Sequence, residues 1–158
     1  MIRKKILLIG DFAVGKTSLI RRYVDNAFDD NYLTTIGVKI SKKNVAVEDD
    51  SVELLIWDIE GATVEKRIPT NYFKGASGAI FVCDMNRTET VEALSEHIES
   101  FLEVNPKGKY KVAYNKADLY TASQSEPVEV MAGGYLTSAK DGRNVETIFS
   151  ELAKEMSA

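Results

Sequence analysis

The feature that most constrains this chain is a glycine-bearing loop between a strand-like run and a helical pattern. Residues 10–17 read Gly-Asp-Phe-Ala-Val-Gly-Lys-Thr, after the apolar run 6–9 and before the helical spacing of Leu19, Ile20 and Tyr23. This is the G-x-x-x-x-G-K-[ST] pattern in the strand-to-helix setting that it requires. Glycines permit a tight turn whose N–H groups converge on phosphate oxygens, and the helix that follows adds its positive end. The loop therefore predicts nucleotide binding.

Two side chains of this loop have the chemistry to meet a triphosphate and its metal ion. Lys16 offers a compact cation to the β- and γ-phosphates, which also makes it a catalytic candidate, and the Thr17 hydroxyl suits Mg²⁺. The alternative is a glycine turn with a solvated lysine, which the strand before and the helix after disfavour. The predicted nucleotide contacts in this segment are Gly10, Ala13, Val14, Gly15, Lys16, Thr17 and Ser18.

Length and periodicity predict one α/β nucleotide-binding domain over residues 1–158. The 158 residues are 44% hydrophobic and 28% charged, which suits one hydrophobic core. Alternating strand and helix signals predict a six-stranded, mostly parallel sheet with helices on both faces, and a hairpin within 37–58 adds one antiparallel edge strand. Further strands are expected at 6–9, 80–84, 110–114 and 135–137, and helices near Lys16, Arg67, Thr90 and Val145, the last capped by Asn144.

Charge and cysteine content exclude several classes of protein. The net charge is −4 and the basic residues are scattered, so nucleic acid is not an expected partner. The apolar stretches are too short to span a membrane. A single cysteine, Cys83, precludes an internal disulfide and predicts a cytoplasmic protein. Cys83 is expected in the core and His97 at a helix border, rather than as a nucleophile or a ligand.

A second motif follows the strand that ends at Trp57. In Asp58-Ile59-Glu60-Gly61, the Asp58 carboxylate can hold the hydration shell of Mg²⁺, and the Gly61 N–H can approach a γ-phosphate with no side chain in the way. This short pattern is weak alone and gains weight after a phosphate loop.

A third motif predicts which base is bound. Asp118, in Asn115-Lys116-Ala117-Asp118, offers two acceptor oxygens to the adjacent N1–H and N2–H₂ donors of guanine, whereas adenine presents an acceptor there. Asn115 can tie this loop to the phosphate loop, and the stem of Lys116 can cover the base. In Ser138-Ala139-Lys140, the Ala139 N–H can reach the guanine O6. An ATP-dependent enzyme is disfavoured by Asp118.

Together these motifs resemble those of small GTPases of the Ras superfamily, nearest to the Rab branch, over residues 2–156. Residues 34–37, Thr-Thr-Ile-Gly, are similar to the first switch of that family. The resemblance implies that Thr35 ligates Mg²⁺ and senses the γ-phosphate, and that Phe28 packs against the guanine. It also implies a Mg²⁺-dependent switch between GTP and GDP.

The same resemblance implies switch loops around 26–40 and 58–75 that close on GTP and relax on GDP. Effector, activating and exchange proteins are the expected partners at these loops. Trp57 begins the second switch as in Rab proteins, residues 72–76 match the helix after it, and Ile40 replaces the aromatic residue that usually completes the effector patch. Trp57 is expected to contact a partner, with core packing as the alternative.

Two departures from the family pattern bear on hydrolysis. Ala62 follows Gly61 where the family has the glutamine that orients the attacking water, and a methyl group cannot do so. Phe12 stands where Ras proteins need glycine, and its bulk should hinder an inserted arginine. Slow hydrolysis is therefore expected, with the Thr35 main-chain carbonyl as the candidate that positions water. The alternatives are Glu60, Thr63 or Glu65, although a carboxylate beside the γ-phosphate is electrostatically disfavoured, and a partner protein. A non-hydrolysing GTP-bound scaffold is the alternative.

Two further departures concern the last third of the chain. Only twenty positions separate Asp118 from Ser138, and Pro127 and Gly133-Gly134 interrupt them, so the helix expected there should be shortened. Residues 154–158 contain no cysteine and no basic run, so no lipid anchor is expected in this chain.

Overall fold

A computed structural model describes residues 2–11, 13–25, 38–59, 69–119, 131 and 134–157. Its strands are β1 (Ile2–Gly10), β2 (Val38–Val47), β3 (Asp50–Ile59), β4 (Ala76–Asp84), β5 (Lys109–Asn115) and β6 (Gly134–Leu136). Its helices are α1 (Lys16–Asp25), α2 (Thr88–Glu92), α3 (Leu94–Val104) and α4 (Val145–Ser157), with 3₁₀ turns at Thr70–Tyr72 and Ala117–Leu119.

The six strands form one sheet in the order β2-β3-β1-β4-β5-β6. Every neighbouring pair is parallel except the hairpin β2–β3, in which Ile40 lies opposite Trp57 and Val45 opposite Val52. The predicted mostly parallel sheet with one antiparallel edge strand is therefore confirmed. The carboxyl ends of β1, β4 and β5 meet at one edge, which is where ligands bind in open α/β sheets.

Alternating side chains of the central strands enter two cores, one on each face of the sheet. Ile6 and Leu8 of β1 point to the core that α1 and α4 cover, while Leu7 and Ile9 point to the core that α3 covers. In the first core, Tyr23 of α1 and Phe149 of α4 stack with ring centroids 4.0 Å apart. Both faces are thus sealed, as the continuous apolar runs of β1 and β4 require.

The element boundaries differ from those expected at several ends. β1 and β4 begin four residues before the expected starts. The residues at these strand starts pair with the neighbouring strands even though most of their side chains are polar or small. The helix expected near Thr90 begins at Thr88 and is divided in two at Ala93. The expected helix start at Arg67 lies outside the described residues, as does most of the interval between Asp118 and Ser138 in which a shortened helix was expected.

The start of α4 departs from simple capping. The Asn144 carbonyl accepts the first helical bond, from Ile148 N at 3.0 Å, as an N-cap residue should. Its φ is +56°, however, and its side-chain amide donates to the Leu136 carbonyl at 2.9 Å. Asn144 therefore fastens the helix start to β6, where the sequence predicted a side-chain cap.

Candidate nucleotide-binding site

The phosphate loop connects the end of β1 to the start of α1. Gly15 has a φ of +100°, and a Cβ there would overlap the side-chain nitrogen of Asn115. A Cβ at Gly10 would overlap the Val82 carbonyl oxygen. Glycine is thus required at both positions, by close approach at each and by backbone conformation at Gly15. Val14 is fully buried, and the first bond of α1 runs from Leu19 N to Gly15 O at 2.9 Å.

Two polar side chains of the predicted metal site lie in hydrogen-bond contact. The Thr17 hydroxyl donates to Asp58 Oδ2 at 2.6 Å, although the two residues are 41 positions apart. Asp58 is only 2% exposed and Lys16 only 6%. The first turn of α1 therefore presents a buried ammonium and a hydroxyl, and the end of β3 presents a buried carboxylate, at the carboxyl edge of the sheet. Ser18, which follows in α1, is half-buried.

The chemistry of these donors fits Mg²⁺ rather than a metal held by the protein alone. Mg²⁺ prefers oxygen ligands and is usually bound by one or two protein oxygens together with phosphates and water. The described residues contain no group of three or more His, Cys, Asp or Glu side chains that could hold a metal. One hydroxyl and one carboxylate beside a phosphate loop match a Mg²⁺ site of this kind, in which phosphates and water complete the ligands.

Asn115 and Lys116 fasten the end of β5 to the phosphate loop. Asn115, which is 1% exposed, donates to Val14 O at 2.9 Å and accepts from the Thr137 hydroxyl at 3.2 Å. The Lys116 ammonium lies 2.9 Å from Ala13 O and 3.1 Å from the carboxylate of Asp84. The sequence predicted the tie between Asn115 and the phosphate loop. The contact of Lys116 with Ala13 and Asp84 was missed, because nothing local in the sequence places those residues together.

The predicted base-reading residues lie side by side. The Ser138 hydroxyl donates to Asp118 Oδ1 at 2.9 Å, and Asp118 is exposed. In the described run 134–157, the amides that flank this contact are satisfied as follows: Thr137 N by Tyr114 O, Ser138 N by Arg143 O, Asp141 N by the Ser138 hydroxyl, Gly142 N by Ser138 O and Arg143 N by the Asp141 carboxylate.

The N–H groups of Ala139 and Lys140 donate to no group among the described residues. Two consecutive amides therefore stand available next to an exposed carboxylate that points from the neighbouring loop. This juxtaposition presents donors beside acceptors. It can recognise a ring that carries a carbonyl oxygen next to N–H donors, as guanine does.

One contact of the site was not expected from the sequence. His97 Nε2 of α3 lies 2.9 Å from the carboxylate of Asp11 in the phosphate loop, and both side chains are largely buried. The sequence predicted only that His97 borders the helix. No local pattern indicates a partner 86 positions away, so the pairing could be found only from the fold.

Cys83 is placed as predicted. Its side chain is fully buried in β4, and burial, reinforced by the charge of Asp84, raises the pKa of the thiol to about 12. The thiol is therefore protonated at neutral pH, unlike a reactive cysteine.

A partly exposed apolar patch lies on β2 and β3, beside the site. Trp57 is half-buried, with its ring centroid 6.4 Å from that of Tyr72 and the Lys5 ammonium 3.8 Å above its ring. Ile40, opposite Trp57, is 51% exposed. Trp57 thus divides its surface between its neighbours and solvent.

Several predicted site residues lie outside the described residues. These are Phe28, Thr35 and Gly61 among the expected contacts, together with Phe12 and Ala62, on which the expectation of slow hydrolysis rests. Among the helices of the described residues, none is long and apolar enough to cross a membrane.

Comparison with known proteins agrees with this geometry. The family model described as "Ras family" matches residues 5–158. Ras-related protein Rab-13 of Canis lupus familiaris is 32% identical over 160 residues, covering 96% of this chain and 79% of its own. Ras-related protein SEC4 of Saccharomyces cerevisiae is 35% identical over 157 residues, covering 95% and 73%. GTP-binding protein YPTM1 of Zea mays is 33% identical over 157 residues, covering 94% and 76%. The chain therefore belongs to the Ras family and is a Rab-like small GTPase.

Proposed function

We propose that residues 1–158 form one domain that binds GTP and GDP with Mg²⁺ in the cytoplasm and switches partners as it slowly hydrolyses GTP. The observation that carries this proposal is the exposed Asp118 carboxylate, held by Ser138 beside the two available amides of Ala139 and Lys140. Asp118 would accept from N1–H and N2–H₂ of guanine, and the amides would donate to O6. Adenine would leave these groups without complementary partners, which is costly once the base covers them.

The phosphates would lie in the loop between β1 and α1. Lys16 and the loop amides would stabilise the charge that develops on the transferred phosphoryl group, which is the main source of catalysis in this reaction class. Thr17 and Asp58, and Thr35 by family resemblance, would hold Mg²⁺, which supplies further neutralisation of phosphate charge. Gly61 would sense the γ-phosphate through its N–H.

Slow hydrolysis follows from the residue after Gly61. Ala62 offers no donor or acceptor to orient the attacking water, so this task falls to the Thr35 main-chain carbonyl or to a partner protein. Single-turnover phosphate release from GTP-loaded protein measures the rate. An Ala62→Gln variant that releases phosphate at least ten times faster than the parent supports the proposal. An unchanged rate of release would show that another group orients the water.

The Ile40–Trp57 patch would present the switch state to partners. It joins exposed apolar surface to the segments 26–40 and 58–75, whose conformation the γ-phosphate would bias. Effector, activating and exchange proteins would bind there. Pull-down with GTP-loaded and GDP-loaded protein, each compared with an Ile40→Asp variant, tests this assignment.

The base assignment has a direct test. Xanthine presents a carbonyl where guanine presents the N2 amino group, so Asp118→Asn should exchange a preference for guanine for one for xanthine. Calorimetry of both proteins with GDP, XDP and ADP measures the exchange. ADP bound by the unaltered protein as tightly as GDP would refute guanine recognition, and an unchanged preference in the variant would refute the role of Asp118.

A further inference from the structure

An arginine of α1 reaches the loop that carries the two available amides. Arg22 Nε donates to Ala139 O at 2.7 Å, and its Nη2 donates to Lys140 O. In the sequence, Arg22 is separated from Ala139 by 117 positions and from Lys140 by 118. One planar guanidinium thus binds two successive carbonyls, which a flexible lysine cannot do with the same geometry.

These bonds set the direction of one of the amides. The described peptide bonds are all trans, so each C=O points opposite to the N–H of the next residue. Holding Ala139 O against Arg22 therefore turns the Lys140 N–H away from α1. The preceding peptide, which carries the Ala139 N–H, is fixed separately because Gly142 N donates to Ser138 O at 2.9 Å.

Three successive peptide planes are thereby fixed, one by Gly142 and two by Arg22. Gly142 can turn back in this way because its φ is +86°. The α1–α4 contact is firm at this point, since Tyr23, next to Arg22, stacks on Phe149 with rings parallel to within 1°. The helix that carries Arg22 is therefore itself held in place against α4.

We infer that Arg22 is a positioning residue for base specificity, which holds the Lys140 amide where it donates to the O6 of guanine, beside the Ala139 amide that Gly142 fixes. This inference rests on the proposed guanine recognition. Preorganised donors bind more tightly than donors that must be ordered by the ligand, so loss of the arginine should weaken the O6 contact and leave the Asp118 contact intact.

Two nucleotides that differ from GDP at one position separate these contacts. In 6-thioguanosine diphosphate a larger, weaker acceptor replaces O6, and the donors that face Asp118 remain. Inosine diphosphate keeps O6 and lacks the N2 amino group. The ratio of affinities for GDP and the thio analogue therefore reports the amides, and the ratio for GDP and IDP reports Asp118.

The test is Arg22→Met, which keeps an apolar stem, compared with Arg21→Met. Arg21 is the preceding residue of α1, is half-buried, and makes no side-chain hydrogen bond or ion pair among the described residues. Competition binding with all three nucleotides is measured for each variant. We expect Arg22→Met to weaken GDP about tenfold and the thio analogue about twofold, with the GDP-to-IDP ratio unchanged and Arg21→Met like the parent.

The outcomes distinguish this inference from its foundation. An equal loss for GDP and the thio analogue would mean that Arg22 only supports the structure, and would overturn the inference. If Arg22→Met does not fold, Arg22→Lys is read by the same ratio, and an unchanged ratio again overturns it. If the parent protein does not prefer GDP to ADP, guanine recognition itself fails, whatever the variants do.

Discussion

Ala13 of the phosphate loop and Lys116, which follows β5, both adopt backbone conformations that residues other than glycine rarely take. Their φ angles are +62° and +63°. They also bind each other, because the Lys116 ammonium donates to Ala13 O at 2.9 Å. Such conformations cost free energy and persist where the surrounding contacts enforce them, which is typical of functional sites. The hydrogen bond between Lys116 and Ala13 thus helps to keep both loops in these conformations.

Two glycines separate the effect of backbone conformation from that of crowding. Gly15 and Gly75 both have positive φ, but a Cβ at Gly15 would overlap Asn115, whereas one at Gly75 would meet nothing within 4 Å. Gly75→Ala should cost about 1 kcal/mol of unfolding free energy through conformation alone. Gly15→Ala should cost about 3 kcal/mol, because Asn115 must also move, and nucleotide affinity should fall with it.

Urea unfolding of both variants, with calorimetry of nucleotide binding, measures these two costs. Equal losses in unfolding free energy would show that Asn115 yields without cost. Loss of affinity in Gly75→Ala would place that residue closer to the ligand than we propose.

At the scale of elements, α3 is fastened to the phosphate loop through His97 and Asp11, which are 2.9 Å apart and largely buried. An exposed pair within one segment, Arg87 and Glu89, lies 3.3 Å apart and offers a matched comparison. A buried polar contact contributes more than an exposed one because water competes less for its partners.

Double-mutant cycles to alanine should therefore give different coupling energies for the two pairs. We expect about 1 kcal/mol for His97 with Asp11 and less than about 0.5 kcal/mol for Arg87 with Glu89. The free energies of unfolding of single and double variants measure both. A coupling near zero for the His97 pair would mean that α3 is held to the loop by apolar packing alone.

The elements show which parts of the fold the sequence could predict. Continuous apolar runs located the cores of β1 and β4, and a run interrupted only by Lys111 located that of β5. Two alternating runs around a polar turn located the β2–β3 hairpin, because period and composition are local properties. Strand ends were misplaced by up to four residues, since pairing extends past the last apolar side chain.

The site followed the same rule. Asn115, Asp118 and Lys16 could be predicted as candidate site residues because each belongs to a short motif in a recognisable context. Arg22 and His97 carry no such signal, because their partners are distant in the chain and become neighbours only when the helices pack. Contacts that fasten one element to another are thus the part that local patterns do not contain.

For the whole molecule, each of the two cores contains a group that ionises only when the chain unfolds. Cys83 lies in the core covered by α3, with its pKa raised to about 12 from 9.0 by burial. Tyr23 lies in the core covered by α1 and α4, and burial, reinforced by Glu146, raises its pKa above the ordinary value of 10.0. Below pH 9 both groups are protonated in either state, so neither affects stability.

Stability should therefore fall in two steps as the pH rises. From pH 9 toward 12 the unfolded thiol releases a proton that the folded thiol retains, which lowers the free energy of unfolding by about 1.4 kcal/mol per pH unit. Above pH 10, Tyr23 adds a second term of the same sign. Chemical unfolding at intervals from pH 7 to 11 measures the curve.

Two variants assign the steps of this curve. Cys83→Ala should flatten the decline between pH 9 and 10, and Tyr23→Phe should flatten it only above pH 10. A decline that neither variant changes would assign the alkaline sensitivity to other groups.

The burial of Cys83 has a practical consequence for spectroscopy. The only sulfhydryl of the chain is fully buried and protonated, so dyes that attack thiolates should not label the native protein. A cysteine introduced on an exposed position, such as Glu99 of α3, could then carry a fluorophore without prior removal of the natural one. The rate at which Cys83 itself is slowly labelled would measure how often the sheet opens far enough to expose it.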